Sequence, residues 1–495
     1  MQYVSTRTKD AERVSAAYAI KTGLAPDGGL FMPETIPSLA LSELADLLDC
    51  SYAERATYVF SKFLTDYSVL EIHEDTSEAY SEERFPGGAA PIHPIDDQVT
   101  ALELWHGPTS AFKDMALQIM PRLLSRALRK TGETREALIL VATSGDTGKA
   151  ALEGYRDVPQ IKIKVFYPVD GVSRVQKLQM QTQEGKNVDI AAIRGNFDDA
   201  QSGVKKIFGD SKMAEALNEK GVFLSSANSI NWGRLAPQIA YYVSAYCDMV
   251  KSGKIVLGDK IDICVPTGNF GNIFAAYIAK LMGLPFDKLI CASNQNNVLT
   301  DFLETGTYDR NRHFYTTTSP SMDILISSNL ERLLYLVCGA EKTAAYMKEL
   351  SENGVYTLAE DEIAKIKETF VGYYASEEDC AAAIRTAFDQ HGYLADTHTA
   401  VGYHAALVHI QKTGSHRPIV LASTASPYKF AAAVYRALTG KDAEGDLEAL
   451  AQLSELTGVA IPAPLADIGS RTVRFDTTMD AADMPASVLA FAENK

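Results

Sequence analysis

ALILVATSGDTGKAALEGYRDVPQIKIKVFYP, residues 137–168, holds the pattern on which the fold turns. ALILVA and IKIKVFYP are short runs of aliphatic and β-branched residues, the length of buried strands. Between them a Gly-rich turn leads into a stretch with helical spacing. Strand, helix and strand in so few residues imply a right-handed crossover between parallel strands. The rhythm continues outward in NVDIAAIRG (187–195), VFLSSANS (222–229), KIDICVPTG (260–268), KLICASNQ (288–295) and PIVLAST (418–424). After Arg234, the residues Leu235, Ile239, Tyr242, Val243, Tyr246 and Val250 form one apolar stripe. After Asn272, so do Ile273, Phe274, Tyr277, Ile278, Leu281 and Met282. The class is α/β.

Residues 1–98 read differently. LSELADLLDCSYAERATYVFSKFL (41–64) suits helices, and EIHEDTSEAYSEER (71–84) predicts a solvated acidic helix face. FPGGAAPIHPIDD (85–97) reads as a connector. Residues 294–330, with NQNN and TTTSPS, lack the strand–helix rhythm and predict a long insertion or functional loop.

The chain has 495 residues and a formal charge of −16. That balance argues against nonspecific nucleic-acid binding and against anionic membrane surfaces. No apolar run approaches the ~20 residues of a membrane span. The start MQYVSTRTKDAERV has no apolar core of a signal peptide. Six scattered cysteines without a CxxC pair argue against structural zinc and a disulfide framework. A cytoplasmic location is the expectation.

Three turns leave predicted strands: TSGDTG (143–148), PTGNFGN (266–272) and STASP (423–427). In open α/β sheets, ligands bind at the carboxyl ends of the strands. PTGNFGN can cradle a phosphate, because its glycines let successive N–H groups converge ahead of a helix N-terminus. It reads equally as a turn that needs glycine for geometry alone. TSGDTGKA fails the Walker spacing, so Lys149 reads as a helix-surface lysine. In ELWHGPTSAFKDMALQIMPRLL (103–124), Lys113 sits beside Phe112, Met115, Ala116 and Leu117. An amine among apolar groups loses proton affinity and becomes a nucleophile and base. Taken alone, Lys113 is better read as a lysine snorkelling from a helix. A lysine, a phosphate cradle and a strand-end hydroxyl together suit pyridoxal phosphate. In NSINWGR (228–234), Ser229, Asn231 and Arg234 read either as an N-capped helix start or as an anion pocket with a bidentate Arg fork. The spacings of His398, His404 and His409 do not match HExxH, and no metal site is expected. His106 reads as structural or orienting. No GxSxG elbow or GxGxxG loop occurs.

The chain resembles the threonine synthases, in the long form found in bacteria and fungi. The resemblance rests on YVSTR (3–7), GLAPDGGLFMPE (23–34), HGPTSAFKD (106–114), ATSGDTG (142–148), NSINWGR, PTGNFGN, SPSMDILISSNLERLL (319–334) and STASPYKF (423–430), in that order. It implies a fold-type II pyridoxal-phosphate enzyme, tryptophan synthase β-like, with two lobes that each contain a parallel sheet and a mainly helical N-terminal region. The implied division is 1–98, then a small lobe 99–227 carrying the lysine, then a large lobe 228–495 with 294–330 inserted. The implied reaction turns O-phospho-L-homoserine and water into L-threonine and phosphate, by γ-elimination and β-addition of water. A monomer or small homo-oligomer is expected.

Carried over by resemblance, Lys113 is the Schiff-base lysine. Gly268, Asn269, Phe270, Gly271 and Asn272 match the cofactor-phosphate loop, and Thr424 the hydroxyl at the pyridine nitrogen. Ser144, Asp146 and Thr147 match the loop around the substrate's amino-acid end. Ser229, Asn231 and Arg234 match the substrate-phosphate pocket. The chain departs from the family at Asn272, where Asp is frequent, and at Ser426 and Tyr428, where His and Ala are frequent. Two other readings stand beside this one: a related pyridoxal-phosphate-dependent phospho-amine lyase, and an inactive binding protein of the same fold.

Overall fold

All seven predicted strands form, and they divide between two sheets. The computed structural model describes residues 1–169 and 172–493. In chain order the strands of these sheets are β1 Ile92–Pro94, β2 Val99–Glu103, β3 Glu136–Ala142, β4 Ile161–Pro168, β5 Val188–Arg194 and β6 Val222–Ser225. They continue as β7 Ile261–Pro266, β8 Phe286–Ser293, β9 Phe370–Tyr374, β10 Ile419–Ser423 and β11 Thr478–Asp480. One sheet has six strands in the order β9-β8-β7-β10-β2-β1, and the other has five in the order β11-β5-β4-β3-β6. Every pairing is parallel except the antiparallel edge pair β1–β2.

Parallel strands covered on both faces must be apolar on both. Strands β4, β7 and β10 are accordingly buried along their whole length. On β7, Ile263 and Val265 join a core with Ile239 and Phe274, while Cys264 joins a second core with Val401 and Tyr403. The helices Trp232–Lys251 and Gly271–Met282 therefore cover one face, and Thr397–Thr413 the other. Among the described residues, no helix is long and apolar enough to cross a membrane.

Sheet membership cuts across the sequence stretches 1–98, 99–227 and 228–495. Strand β2 belongs to the six-stranded sheet, and β11, near the end of the chain, belongs to the five-stranded one. Two local expectations are corrected. The connector 85–97 carries an edge strand, β1. The acidic segment at 71 onward lies in the helix Val69–Ala79 and is not simply solvated: Asp75 is buried against Arg126 at 2.7 Å, and Glu71 meets Lys130 at 2.8 Å. The stretch 41–64 is helical as expected, in two pieces, Leu41–Asp46 and Tyr52–Phe63. Ser51 starts the second with a capping box, its hydroxyl accepting from the Glu54 N–H while Glu54 accepts from the Ser51 N–H.

The N-terminal region is bound to the frame. Arg55 donates to Ser244 Oγ at 2.9 Å and to Asp248 at 2.7 Å, and Tyr3 packs on Trp232. The expected insertion 294–330 contains a helix, Val298–Thr305, and a strand, Thr307–Asp309, paired with Val355–Thr357. Its far end forms a short turn, Pro320–Met322.

Glycine decides one helix contact. A Cβ on Gly154, in the helix Asp146–Tyr155, would sit 1.9 Å from the Leu117 carbonyl oxygen. That backbone belongs to the short helix Asp114–Leu117, directly after Lys113. Gly154→Ala is expected to cost about 3 kcal/mol or more, as an overpacked site whose obstacle is rigid backbone. Urea unfolding checks this; a midpoint equal to wild type would show that the two helices separate freely.

Candidate active site

Lys113 stands at the N-terminal edge of the helix Asp114–Leu117, and the turn before it is tightly built. Asp114 accepts from the Thr109 N–H and hydroxyl, both at 2.8 Å. Ser110 adopts φ 59°, a strained left-handed conformation for a residue with a Cβ. The Phe112 N–H donates to the Thr424 carbonyl at 2.8 Å, and the Ser426 N–H to the Ser110 carbonyl at 3.0 Å. The lysine turn is thus joined to the turn that leaves β10. Burial pushes the Asp114 carboxyl up to about 7, against the hydrogen bonds from Thr109.

Lys113 Nζ donates to Ser321 Oγ at 3.3 Å and lies 3.6 Å from Asp146 Oδ2. Burial pushes its proton affinity down; Asp146 opposes this, and the charges of Lys429 and Arg234 add to it. Asp146 opens the helix that follows TSGDTG. Its Oδ1 meets Lys429 Nζ at 2.8 Å and accepts from Gln176 Nε2 at 2.9 Å. Burial alone would raise the Asp146 carboxyl, but the two ammonium groups hold it well below the carboxylate range. Thr143 shapes this turn by accepting from the N–H groups of Gly145 and Gly148. Ser144 and Thr147 are half-buried, and neither hydroxyl has a hydrogen-bond partner among the described residues.

The loop 266–272 opens beside this cluster. Phe270 has φ 62°, so a second left-handed residue with a side chain borders the site. A Cβ on Gly268 would lie 2.9 Å from the Ser321 carbonyl oxygen, so glycine is what admits the 320–322 turn so close. Ser327 Oγ donates to the Gly268 carbonyl at 2.7 Å, and the Asn329 N–H to the Asn269 carbonyl at 3.0 Å. Asn272 lies in the first turn of the helix Gly271–Met282. Its Oδ1 accepts from the Tyr241 and Tyr242 hydroxyls at 2.6 and 2.5 Å, while its buried Nδ2 has no partner.

Arg234 lies in the first turn of the helix Trp232–Lys251 and is buried. Its Nη1 donates to the Ala227 carbonyl at 2.5 Å, but its Nε has no partner. No carboxylate among the described residues pairs with it, and burial pulls its guanidinium down to about 10. Ser229 Oγ accepts from Asn329 Nδ2 at 3.3 Å. Asn231 fits its local reading: it caps the helix through the Gly233 N–H, and its Nδ2 donates to the Ile20 carbonyl at 2.9 Å. Arg332 braces these parts from behind, donating to the Ile230 carbonyl at 2.6 Å, to the Phe31 carbonyl at 3.2 Å and to Asn329 Oδ1.

Thr424, directly after β10, is buried with a hydroxyl that has no partner among the described residues. Ser423 beside it accepts from Trp105 Nε1 and the Tyr393 hydroxyl. The two nearby departures are structural. Ser426 accepts from the Tyr428 N–H, and the Tyr428 hydroxyl donates to the Val459 carbonyl. His106 meets Glu103 at 2.7 Å and stacks on Trp105.

Lys149 is corrected. It is 5% exposed, pairs with Glu153 at 3.1 Å and donates to Gln183, so it is an interior lysine. Residues that the sequence reasoning did not single out are Lys429, Ser321, Gln176, Asn329 and Arg332. Three of them lie in SPSMDILISSNLERLL and Lys429 in STASPYKF, yet nothing in the spacing marks them.

The chain is similar to known proteins along most of its length. Residues 2–80 match the family model "Threonine synthase N terminus", residues 93–425 "Pyridoxal-phosphate dependent enzyme", and residues 399–486 "Threonine synthase, C-terminal". The chain is 41% identical over 461 residues to human threonine synthase-like 1, covering 89% of this chain but 61% of the human protein's length. It is 36% identical over 480 residues to threonine synthase of Pseudomonas aeruginosa, covering 96% and 95% of the two chains. The crystal structure of PLP-bound threonine synthase from Brucella melitensis superposes with a TM-score of 0.88, at 36% identity and full coverage of both chains.

Proposed function

The chain belongs to the threonine synthase family of pyridoxal-phosphate-dependent enzymes, and from that premise we propose that it converts O-phospho-L-homoserine and water into L-threonine and phosphate. One observation carries this reading. Asp146 is the one carboxylate that bridges the partly buried Lys113 and the buried Lys429, while the buried Arg234, whose charge is felt at Lys113, has no carboxylate partner among the described residues and keeps an unpartnered Nε. Buried charge without a counter-charge is costly, so the site is completed by anions.

The residues fit pyridoxal phosphate. The 268–272 loop, with its glycine at the 320–322 turn and the buried unpartnered Asn272 Nδ2, would hold the phosphate at a helix N-terminus. Thr424 would present its hydroxyl to the pyridine nitrogen. When bound, the cofactor supplies a carbonyl that captures the substrate amine and an electron sink that acidifies the adjacent carbons.

The chain's own residues do the rest. Burial lowers the proton affinity of Lys113, and its amine would carry protons from one substrate carbon to another. Arg234 offers its free Nε to the γ-phosphate and stabilises the charge that builds as phosphate leaves. Ser144 and Thr147 have open hydroxyls for the amino-acid end. Asp146 stays ionised, one oxygen 3.6 Å from Lys113 and the other held by Lys429. A cytoplasmic enzyme acting on a small molecule, as a monomer or small homo-oligomer, suits six cysteines that are all free.

The test is mass spectrometry of products from pure protein, pyridoxal phosphate and O-phosphohomoserine. Threonine with equimolar phosphate is expected. 2-Oxobutyrate with ammonia would mean a related lyase, and no turnover would end the reading.

A further inference from the structure

Lys429 takes no part in the reaction just outlined, yet it is the most completely enclosed cation of the site. Its side chain is 0% exposed. It donates to Asp146 Oδ1 at 2.8 Å, to the Thr109 carbonyl at 3.1 Å and to Gln179 Oε1 at 2.9 Å. Gln176 Nε2 holds the same carboxylate from the side. The other oxygen of Asp146 is the one that faces Lys113, at 3.6 Å. One carboxylate is therefore shared between two ammonium groups.

Sharing matters because of sign. If Asp146 faced Lys113 alone in a buried site, the ion pair would hold the proton on Lys113 and block it as a nucleophile. A second ammonium on the far oxygen cancels that pull and fixes the carboxylate's orientation. The groups facing Lys113 come from four elements: Asp146 from the helix Asp146–Tyr155, Arg234 from Trp232–Lys251, Lys429 from the turn Pro427–Phe430, and the Ser321 hydroxyl from the turn Pro320–Met322. Phe112 adds an aromatic face at 5.2 Å.

We propose that Lys429 is a positioning residue that occupies Oδ1 of Asp146, aims Oδ2 at Lys113 and so keeps Lys113 available as a neutral amine. The inference rests on the reading that Lys113 is the reacting amine. It makes two predictions of opposite sign. Removing Lys429 leaves Asp146 to Lys113 alone and raises the pH at which Lys113 loses its proton. Removing the charge of Asp146 lowers it. A lysine that merely filled space would not produce the first shift.

Trace acetylation of the full-length chain over a pH series, after hydroxylamine has freed any aldehyde-bound lysine, reads this directly. Peptide mass spectrometry gives the midpoint for Lys113, and neither cofactor nor turnover is needed. Failure of the threonine reading appears in the product analysis instead. K429M is expected to raise the midpoint by about one unit or more and D146N to lower it by a similar amount. K429R, which keeps the charge, should stay within a few tenths. The double variant D146N/K429Q leaves no charge orphaned and guards against misfolding of the single variant; its midpoint is expected above that of D146N. An unshifted K429M, shifts of one sign in both single variants, or a double variant at or below D146N would overturn the proposal.

Discussion

Lys113→Ala is expected to lower kcat by roughly four orders of magnitude or more, because it removes the nucleophile and the proton carrier together. The fold is expected to survive. Lys113 contributes one hydrogen bond, to Ser321, and one contact with Asp146 at 3.6 Å, and Asp146 keeps Lys429 and Gln176 when the lysine is gone. Removing a buried cation of lowered proton affinity also relieves a desolvation cost, so the melting temperature should hold or rise slightly. Steady-state kinetics with threonine detection, beside a thermal melt, separates the two effects. Turnover within tenfold of wild type would exclude Lys113 as the reacting amine.

Arg234→Ala is expected to cost about two to three orders of magnitude in kcat/KM on the phosphorylated substrate. The reason is the mismatch at this side chain: a buried guanidinium with an idle Nε and no carboxylate partner among the described residues. Such a group is poorly placed as a stabiliser of the fold and well placed to meet an arriving dianion. Arg234→Lys should recover only part of the loss, since an ammonium lacks the planar fork. Inhibition by inorganic phosphate should weaken in parallel. An equal loss on an analogue that bears no phosphate would make Arg234 a structural residue of the helix Trp232–Lys251.

The central strands were legible because parallel strands covered on both sides must be apolar throughout, and few other segments are. Four strands escaped: β1 and β11 are three residues long and exist only through a neighbour, and β2 and β9 are five residues long with no turn signal on both sides to set them off. Nothing in IHP or TMD marks a strand. The same contrast runs through the site. Lys113 and the 268–272 loop stand out through residue type and local pattern. Lys429 does not, since in PYKF it is one more lysine, and its burial depends on Asp146, Thr109 and Gln179, all remote in sequence. Lys149 misled for that reason: its position on a helix and the i,i+4 pair with Glu153 were readable, but its burial against Gln183, 34 residues on, was not. Asn231 marks the reverse limit, where a capping rule accounts for a side chain that the family resemblance assigns to the substrate.

The placement of β10 between β7 and β2 bears on how the protein is made. Strand β2 has no neighbour on its inner side until β10 has left the ribosome, and Trp105 waits for Ser423 across 318 residues. At the usual 5–20 residues per second, that interval is roughly 15 to 60 seconds. During it, VTALE is an apolar strand with one open edge, the kind of surface that nascent chains pair wrongly. The turn bearing Lys113 shares this delay, because its backbone bonds to Thr424 and Ser426 close only when the same segment arrives. The turn bearing Lys113 is thus set only when the last strand of its sheet arrives, and a chain cut short before residue 419 would carry Lys113 without the turn that holds it.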